Sequence, residues 1–331
     1  MSLLLLTFAI VGSILGICDG GELSKTWSNR FGSILTPIAT GIWSADRPFI
    51  WNNIDVGGRM TVARVGDDLM VHSPVEWTEE LSKVLSSLGG SVKHIIAPNY
   101  EHLRYTEQWS KKYPDAFMYA CPGLPPRMPE VNFDFEFGKT DVDGTFLESV
   151  EFVWMNCETN PATGRPFFNE IVFYHKQSKT LMASDSLWNY PEGSMPNFYG
   201  IEGIGTLHEC PKVPLSSNSN IEVKVPFGTR LWKAGMDKVY LPFYKRFMIR
   251  GKIDEYHIAV DKILSWDVET IGEYEATYVY MYACMYVCMY VCVCVSRSIP
   301  ILIDLRYLVC SRFCILSNCN RITVLFVFSS L

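Results

Sequence analysis

One turn of the chain, Ala97-Pro98-Asn99-Tyr100-Glu101-His102, gathers an amide, a carboxylate and an imidazole within four residues. His102 is the most versatile of the three, because an imidazole changes charge near neutral pH and ligates divalent metals. Glu101 beside it could serve as a general base, and Asn99 could orient a bound molecule in a pocket. His72-Ser73-Pro74 ends one apolar run, and Asp185 ends another in Met182-Ala183-Ser184-Asp185.

Each residue also has a plainer role. His102 could cap a helix, Asp185 and Asn99 could close turns, and His72 could be a hydrogen-bonded core residue. His175 lies at the far end of a hairpin from Asp185 and reads as structural. His208 and Cys210 lie on a loop without partners, and His257 reads as a surface position on the last helix.

Strands and helices must present these groups. Met60, Val62 and Val65, then Gly66-Asp67-Asp68, then Leu69-Met70-Val71, predict a hairpin that leads into His72. A helix follows, capped by Thr78, with Leu81, Val84, Leu85 and Leu88 as its apolar stripe and Gly89-Gly90 as its stop. "VKHIIAP" predicts a buried strand that runs into the Asn99 turn. "EHLRYTEQWSKKYP" predicts a helix that places His102 in its first turn. "AFMYACPG", "VNFDFEF", "FLESVEFVWMNC" and a hairpin turning at 176–179 predict further strands, and the stretch from Phe243 to Trp266 has helical spacing. Residues 188–225 are loop-rich and aromatic. No linker divides 25–270, so the body is one domain of mixed sheets covered by helices.

The chain has 331 residues and a net charge of -6. Its last 55 residues hold four arginines against one aspartate, a contribution of +3 that leaves -9 on the rest. An acidic body without a basic stripe excludes nucleic acid as the expected partner, since phosphate binding needs clustered Lys and Arg. A small molecule is expected instead. Residues 1–20 are uncharged to Cys18 and too short in their apolar stretch for a membrane span, which suits a signal peptide. The expected location is the secretory pathway or the extracellular space, with membrane anchoring or an organelle as the alternative.

The segment 271–331 holds seven of the eleven cysteines. Its "MYVCMYVC" repeats every fourth residue, as a translated tetranucleotide repeat would, and matches no helical packing period. We read this tail as translated non-coding sequence. The alternative is a transmembrane segment over 277–295, and a membrane is a partner only in that case. Without the tail, Cys121, Cys157 and Cys210 form no disulfide framework.

The order of elements, with "IATGIW", Arg47-Pro48, "RMTVARV", "LMVHSP", "HIIAPN", "EHL", "YPDAFMYACPGL", "NEIVFYHKQSKTLMASD" and "KILSWD", resembles the metallo-β-lactamase fold over about residues 30–270. Its wording is closer still to one branch, domain-of-unknown-function family 4336. The resemblance implies an α/β fold, the αββα sandwich, and a site for zinc or another divalent metal. Active relatives place His-x-His-x-Asp-His at the strand-to-helix junction. Here that pattern becomes Ala97-x-Asn99-x-Glu101-His102, while Asp185 matches the metal-bridging aspartate. A Gly-His motif ahead of the last hairpin and a final histidine after "KILSWD" are missing. Ala cannot ligate, and a neutral amide is a poor substitute for imidazole.

The expectation is therefore a metallo-β-lactamase-like protein with a degenerate metal site, acting as a non-catalytic or weakly active binding protein. The alternative that the resemblance implies is a single-metal hydrolase. In it His102, Asp185 and His72 would be the three protein ligands a catalytic zinc uses with water, Glu101 would take the proton, and Ser73 or Asn99 would orient the substrate. A membrane-tethered protein is the third.

Overall fold

A computed structural model describes residues 23, 26–29, 32–142, 144–186 and 225–271. The expected signal peptide, the loop holding His208 and Cys210, and the tail beyond Ile271 lie outside the described residues.

The first sheet runs β1 (Thr36–Ala39), β2 (Ile42–Arg47), β5 (Gly58–Val65), β6 (Asp68–His72), β7 (Val92–Ala97), β8 (Phe117–Ala120) and β9 (Phe135–Glu136), in that spatial order. A short ribbon, β3 (Ile50–Trp51) with β4 (Ile54–Asp55), lies between β2 and β5 in the chain. The sheet is antiparallel from β1 to β6 and parallel from β6 to β9. The second sheet is β10 (Val150–Trp154), β11 (Ile171–His175), β12 (Thr180–Met182) and β13 (Thr270–Ile271).

The two sheets share one core. Phe173 of β11 meets Phe137 at 5.4 Å and the His72 ring edge-on at 5.5 Å. Side chains alternate along a strand, so Tyr174 faces the other way and stacks on Trp266 at 5.3 Å, just past α6 (Ile253–Leu264). Helix α1 (Glu79–Ser87) buries Leu81 and Leu85, and α2 (Thr106–Lys112) buries Trp109, whose Nε1 donates to the Val75 carbonyl. From His94 to Ala97, β7 is buried on both faces, as parallel strands are when covered on each side. This is the expected αββα sandwich.

The hairpin turns tighter than expected, with Val65 opposite Asp68 and Gly66 at φ 58°. Thr78 caps α1 as expected by accepting from the Leu81 N–H at 3.2 Å.

Three expectations fail locally. The helix after Pro98 begins at Thr106, so His102 sits in the turn before it. "VNFDFEF" forms only the two-residue β9, because the Asp134 carboxylate takes the Met118 N–H and the Thr140 hydroxyl takes that of Glu136. Residues Gly144–Ser149 are helix (α3), so the strand expected there starts at Val150, with Phe146 fully buried.

Candidate functional site

The site forms where β6 and β7 end side by side. They are parallel neighbours with His72 opposite Ile96, so Ser73 and the Asn99 turn emerge at the same edge. In open α/β sheets that carboxyl edge is where ligands bind. The second sheet reaches the edge through the residues after β12. Backbone bonds hold the parts together: Ile171 N–H to the Pro98 carbonyl, and Tyr100 N–H to that of Phe168, each at 2.9 Å.

Asn99 is fully buried and divides its amide. Its Oδ1 accepts from the backbone N–H groups of Glu101 at 3.0 Å and His102 at 2.8 Å. With the oxygen committed, the amide nitrogen faces the other sheet. It donates to Asp185 Oδ2 at 2.7 Å and Ser184 Oγ at 3.1 Å. The same Asp185 oxygen lies 3.3 Å from His102 Nε2, and His102 Nδ1 lies 2.5 Å from Ser73 Oγ. Ser73 is itself unusual, a non-glycine residue at φ 57° whose N–H donates to the Ile96 carbonyl at 3.2 Å. The chain Ser73–His102–Asp185–Asn99 is thus continuous.

Burial acts to lower His102, but the Asp185 charge and hydrogen bond, with Glu170 and Glu101 behind them, outweigh it and raise the imidazole above its usual value. The neutral form then donates from Nε2 to Asp185 and accepts from the Ser73 hydroxyl at Nδ1.

Glu170 is the member that sequence reasoning missed. Its carboxylate accepts from the N–H of Ser184 at 2.6 Å, Asp185 at 2.9 Å and Ser186 at 2.7 Å, and so shapes the loop that carries Asp185. Burial, and then the Asp185 charge, push its pKa up to about 7. The available signal was a glutamate set directly ahead of the unbroken apolar run Ile171-Val172-Phe173-Tyr174.

His102, Asp185, Asn99 and Ser73 come together. Glu101 contributes its backbone N–H to the Asn99 turn, while its side chain is exposed; partial desolvation and the Asp185 charge raise its carboxyl. His72 is buried against Phe173, and its Nε2 has no hydrogen-bond partner among the described residues. Burial, and then the His102 charge, hold it down to about 3, so it is neutral. His175 is structural as expected. It is fully buried, with Nδ1 at 2.7 Å from Ser178 Oγ and Nε2 at 2.7 Å from the Arg64 carbonyl. Cys121 and Cys157 are buried and free.

This donor set does not fit the metal that the fold implies. Ala97 has no ligand atom. Asn99 presents N–H groups toward Asp185 rather than its oxygen. Both nitrogens of His102 are engaged within the protein. Among the described residues, no three His, Cys, Asp or Glu side chains are grouped to hold a metal ion.

Residues 40–221 match the family described as Domain of unknown function (DUF4336). No curated protein matches the chain. Solved structures that resemble it include the metallo-β-lactamase DIM-1 exposed to ceftazidime, at 15% identity over 53% of this chain and 75% of that one, TM-score 0.36. A metallo-β-lactamase from Pontibacter korlensis matches at 12% over 45% and 69%, TM-score 0.34. The metal-soaked Flv1 flavodiiron core from Synechocystis sp. PCC6803 matches at 12% over 77% and 60%, TM-score 0.45.

Proposed function

The chain belongs to the Domain of unknown function (DUF4336) family, and from that premise we propose that it is a binding protein whose junction works without a metal. Asn99 carries this reading. Its amide gives Asp185 the N–H contact where a bridging aspartate would meet a cation, and two backbone N–H groups prevent the amide from turning round. Turning the amide so that its oxygen met a cation would break the two bonds that oxygen accepts, at about 1–3 kcal/mol for each group left unsatisfied. The carboxylates of Glu101 and Asp185 favour a small organic ligand that presents a hydrogen-bond donor or a positive charge. The proposal keeps the secretory or extracellular location expected from residues 1–20.

A second reading has one observation of its own. Ser73 is held at positive φ with its Oγ on His102, and Asp185 lies on the imidazole's other nitrogen, the order of groups in a serine hydrolase. In that reading Ser73 Oγ attacks an ester carbonyl while its proton passes to His102 Nδ1 and on to the leaving alcohol, and water then releases the acid. The Ser73 N–H is committed to Ile96 and Pro74 has none, so the nucleophile's own neighbours offer no oxyanion donor. Binding therefore ranks first.

Metal analysis of the purified full chain, with melting curves in zinc and in chelator, tests the proposal. We expect no stoichiometric metal and superimposable curves. Near-stoichiometric zinc, iron or manganese that disappears in Asp185→Asn would overturn it. Fluorophosphonate labelling at Ser73, absent in Ser73→Ala, would move the assignment to the second reading.

A further inference from the structure

A continuous helical run, Phe227 to Met248, alternates α-helix (α4, Phe227–Gly235, and α5, Leu241–Phe243) with π-helix (Met236–Tyr240 and Tyr244–Met248). The alternation changes which residues share a face. In a pure α-helix each fourth residue advances by about 40°, so five such steps would wander by about 200°. The wider i→i+5 turns of the π segments take that drift back. Every fourth residue therefore stays in one row.

That row is Phe227, Leu231, Gly235, Val239, Phe243 and Phe247. Its five side chains are 72%, 62%, 70%, 41% and 49% exposed. The row one residue earlier is basic, with Arg230, Lys238, Arg246 and Arg250 all exposed. The Arg230 and Arg246 guanidinium groups lie 5.9 and 5.6 Å from the Phe227 and Phe247 ring centres. The row one residue later holds Trp232, Met236, Tyr240, Tyr244 and Met248, all half-buried or buried. It anchors the run through Trp232 against Trp51 at 4.7 Å and the Met248 carbonyl bonded to the Thr159 N–H.

Charge names the occupant of the open face. Residues 226–252 contain seven Lys and Arg against the single Asp237, a net of +6 in a chain whose total is -6. Most of the acidic body would be repelled by an anionic surface, and this segment would be drawn to it. A helix with an apolar row beside a basic row lies in a membrane interface rather than across it. No helix among the described residues is long and apolar enough to cross one. We propose that the face of 227–250 docks the protein onto an anionic lipid surface, with Phe227, Leu231, Val239, Phe243 and Phe247 entering the headgroup boundary and the four cations meeting lipid phosphates and carboxylates. This attachment is independent of the ligand site and of residues 277–295.

Sedimentation of the full chain with vesicles tests it, comparing phosphatidylcholine alone with phosphatidylcholine containing phosphatidylserine. Binding is expected only with phosphatidylserine, and it should weaken as salt rises. Replacing Arg230, Lys238, Arg246 and Arg250 by Gln should weaken it by several hundredfold, on the order of fivefold for each charge removed. Phe227→Ser with Phe243→Ser and Phe247→Ser should weaken it comparably while leaving the melting curve in place, since these side chains are exposed. Three results would overturn the proposal: no sedimentation with anionic vesicles, equal sedimentation with neutral ones, or binding that neither set of substitutions changes. A concentration-dependent dimer that the three serine substitutions dissociate, without any vesicle binding, would assign the face to a second copy instead.

Discussion

The hairpin β11–β12 ties the second sheet to the first at both of its ends, with opposite electrostatics. At the turn end, His175 reaches across to the Arg64 carbonyl, and burial, only partly offset by that bond, holds the imidazole below its usual pKa. At the open end, Asp185 reaches across to Asn99 and His102, and the histidine is raised. One end is a histidine on a backbone carbonyl, and the other is a histidine–aspartate contact backed by the buried carboxyl of Glu170. The residue type is the same, so the surroundings decide the direction: beside a backbone carbonyl burial dominates, whereas the charge of a carboxylate outweighs it. His72 sharpens the point, because it neighbours His102 and shifts in the opposite direction.

The largest effect that would break this contrast is at Glu170. Glu170→Ala leaves three backbone N–H groups without their acceptor and should cost about 4 kcal/mol in urea unfolding. Glu170→Gln separates charge from hydrogen bonding. The folded carboxyl is raised to about 7, so its contribution is fully present below the unfolded value of 4.5 and is lost as pH rises through 7. The wild-type protein should lose stability across that window, and the glutamine variant should lose less.

His175→Ala comes next, at about 3 kcal/mol from two lost hydrogen bonds and a filled ring site. Asp185→Asn should cost about 1–2 kcal/mol. Its pH dependence follows from the raised His102: the stabilisation is complete below the unfolded value of 6.5 and fades as pH rises through the folded value. The loss should therefore be greatest in mild acid, and NMR titration should show His102 falling in the variant. An unmoved His102 would dissolve the contrast between the two ends. Ser178→Ala, which removes one partner of His175, should cost about 1 kcal/mol and leave His102 where it was. A larger loss would mean that the turn end depends on its hydroxyl more than on the carbonyl contact.

Local patterns were readable where a single element decides them. The β5–β6 hairpin, the Thr78 cap and the burial of β7 all follow from neighbouring residues. Reading failed where a side chain took the backbone's bonds. Asp134 and Thr140 cut β9 short, and Asn99 claimed the N–H groups of residues 101 and 102 at the turn ahead of α2. Four of the site residues were picked out by type, yet their wiring was not. Asn99 and Asp185 are 86 positions apart, and which carboxylate meets the amide nitrogen is set only when two sheets close on each other.

Residue order alone established the chemical types at the junction, Ala97, Asn99, Glu101 and His102, because type needs no coordinates. It also carried the resemblance that implied the sandwich, while apolar periodicity and turn residues, being local signals, marked the strands and helices. Only the folded chain could decide that Glu170 braces the Asp185 loop, that His72 and His102 titrate apart, and that the rows on 227–248 align. Those outcomes depend on desolvation, on contacts between distant segments and on the widened turns of one helix.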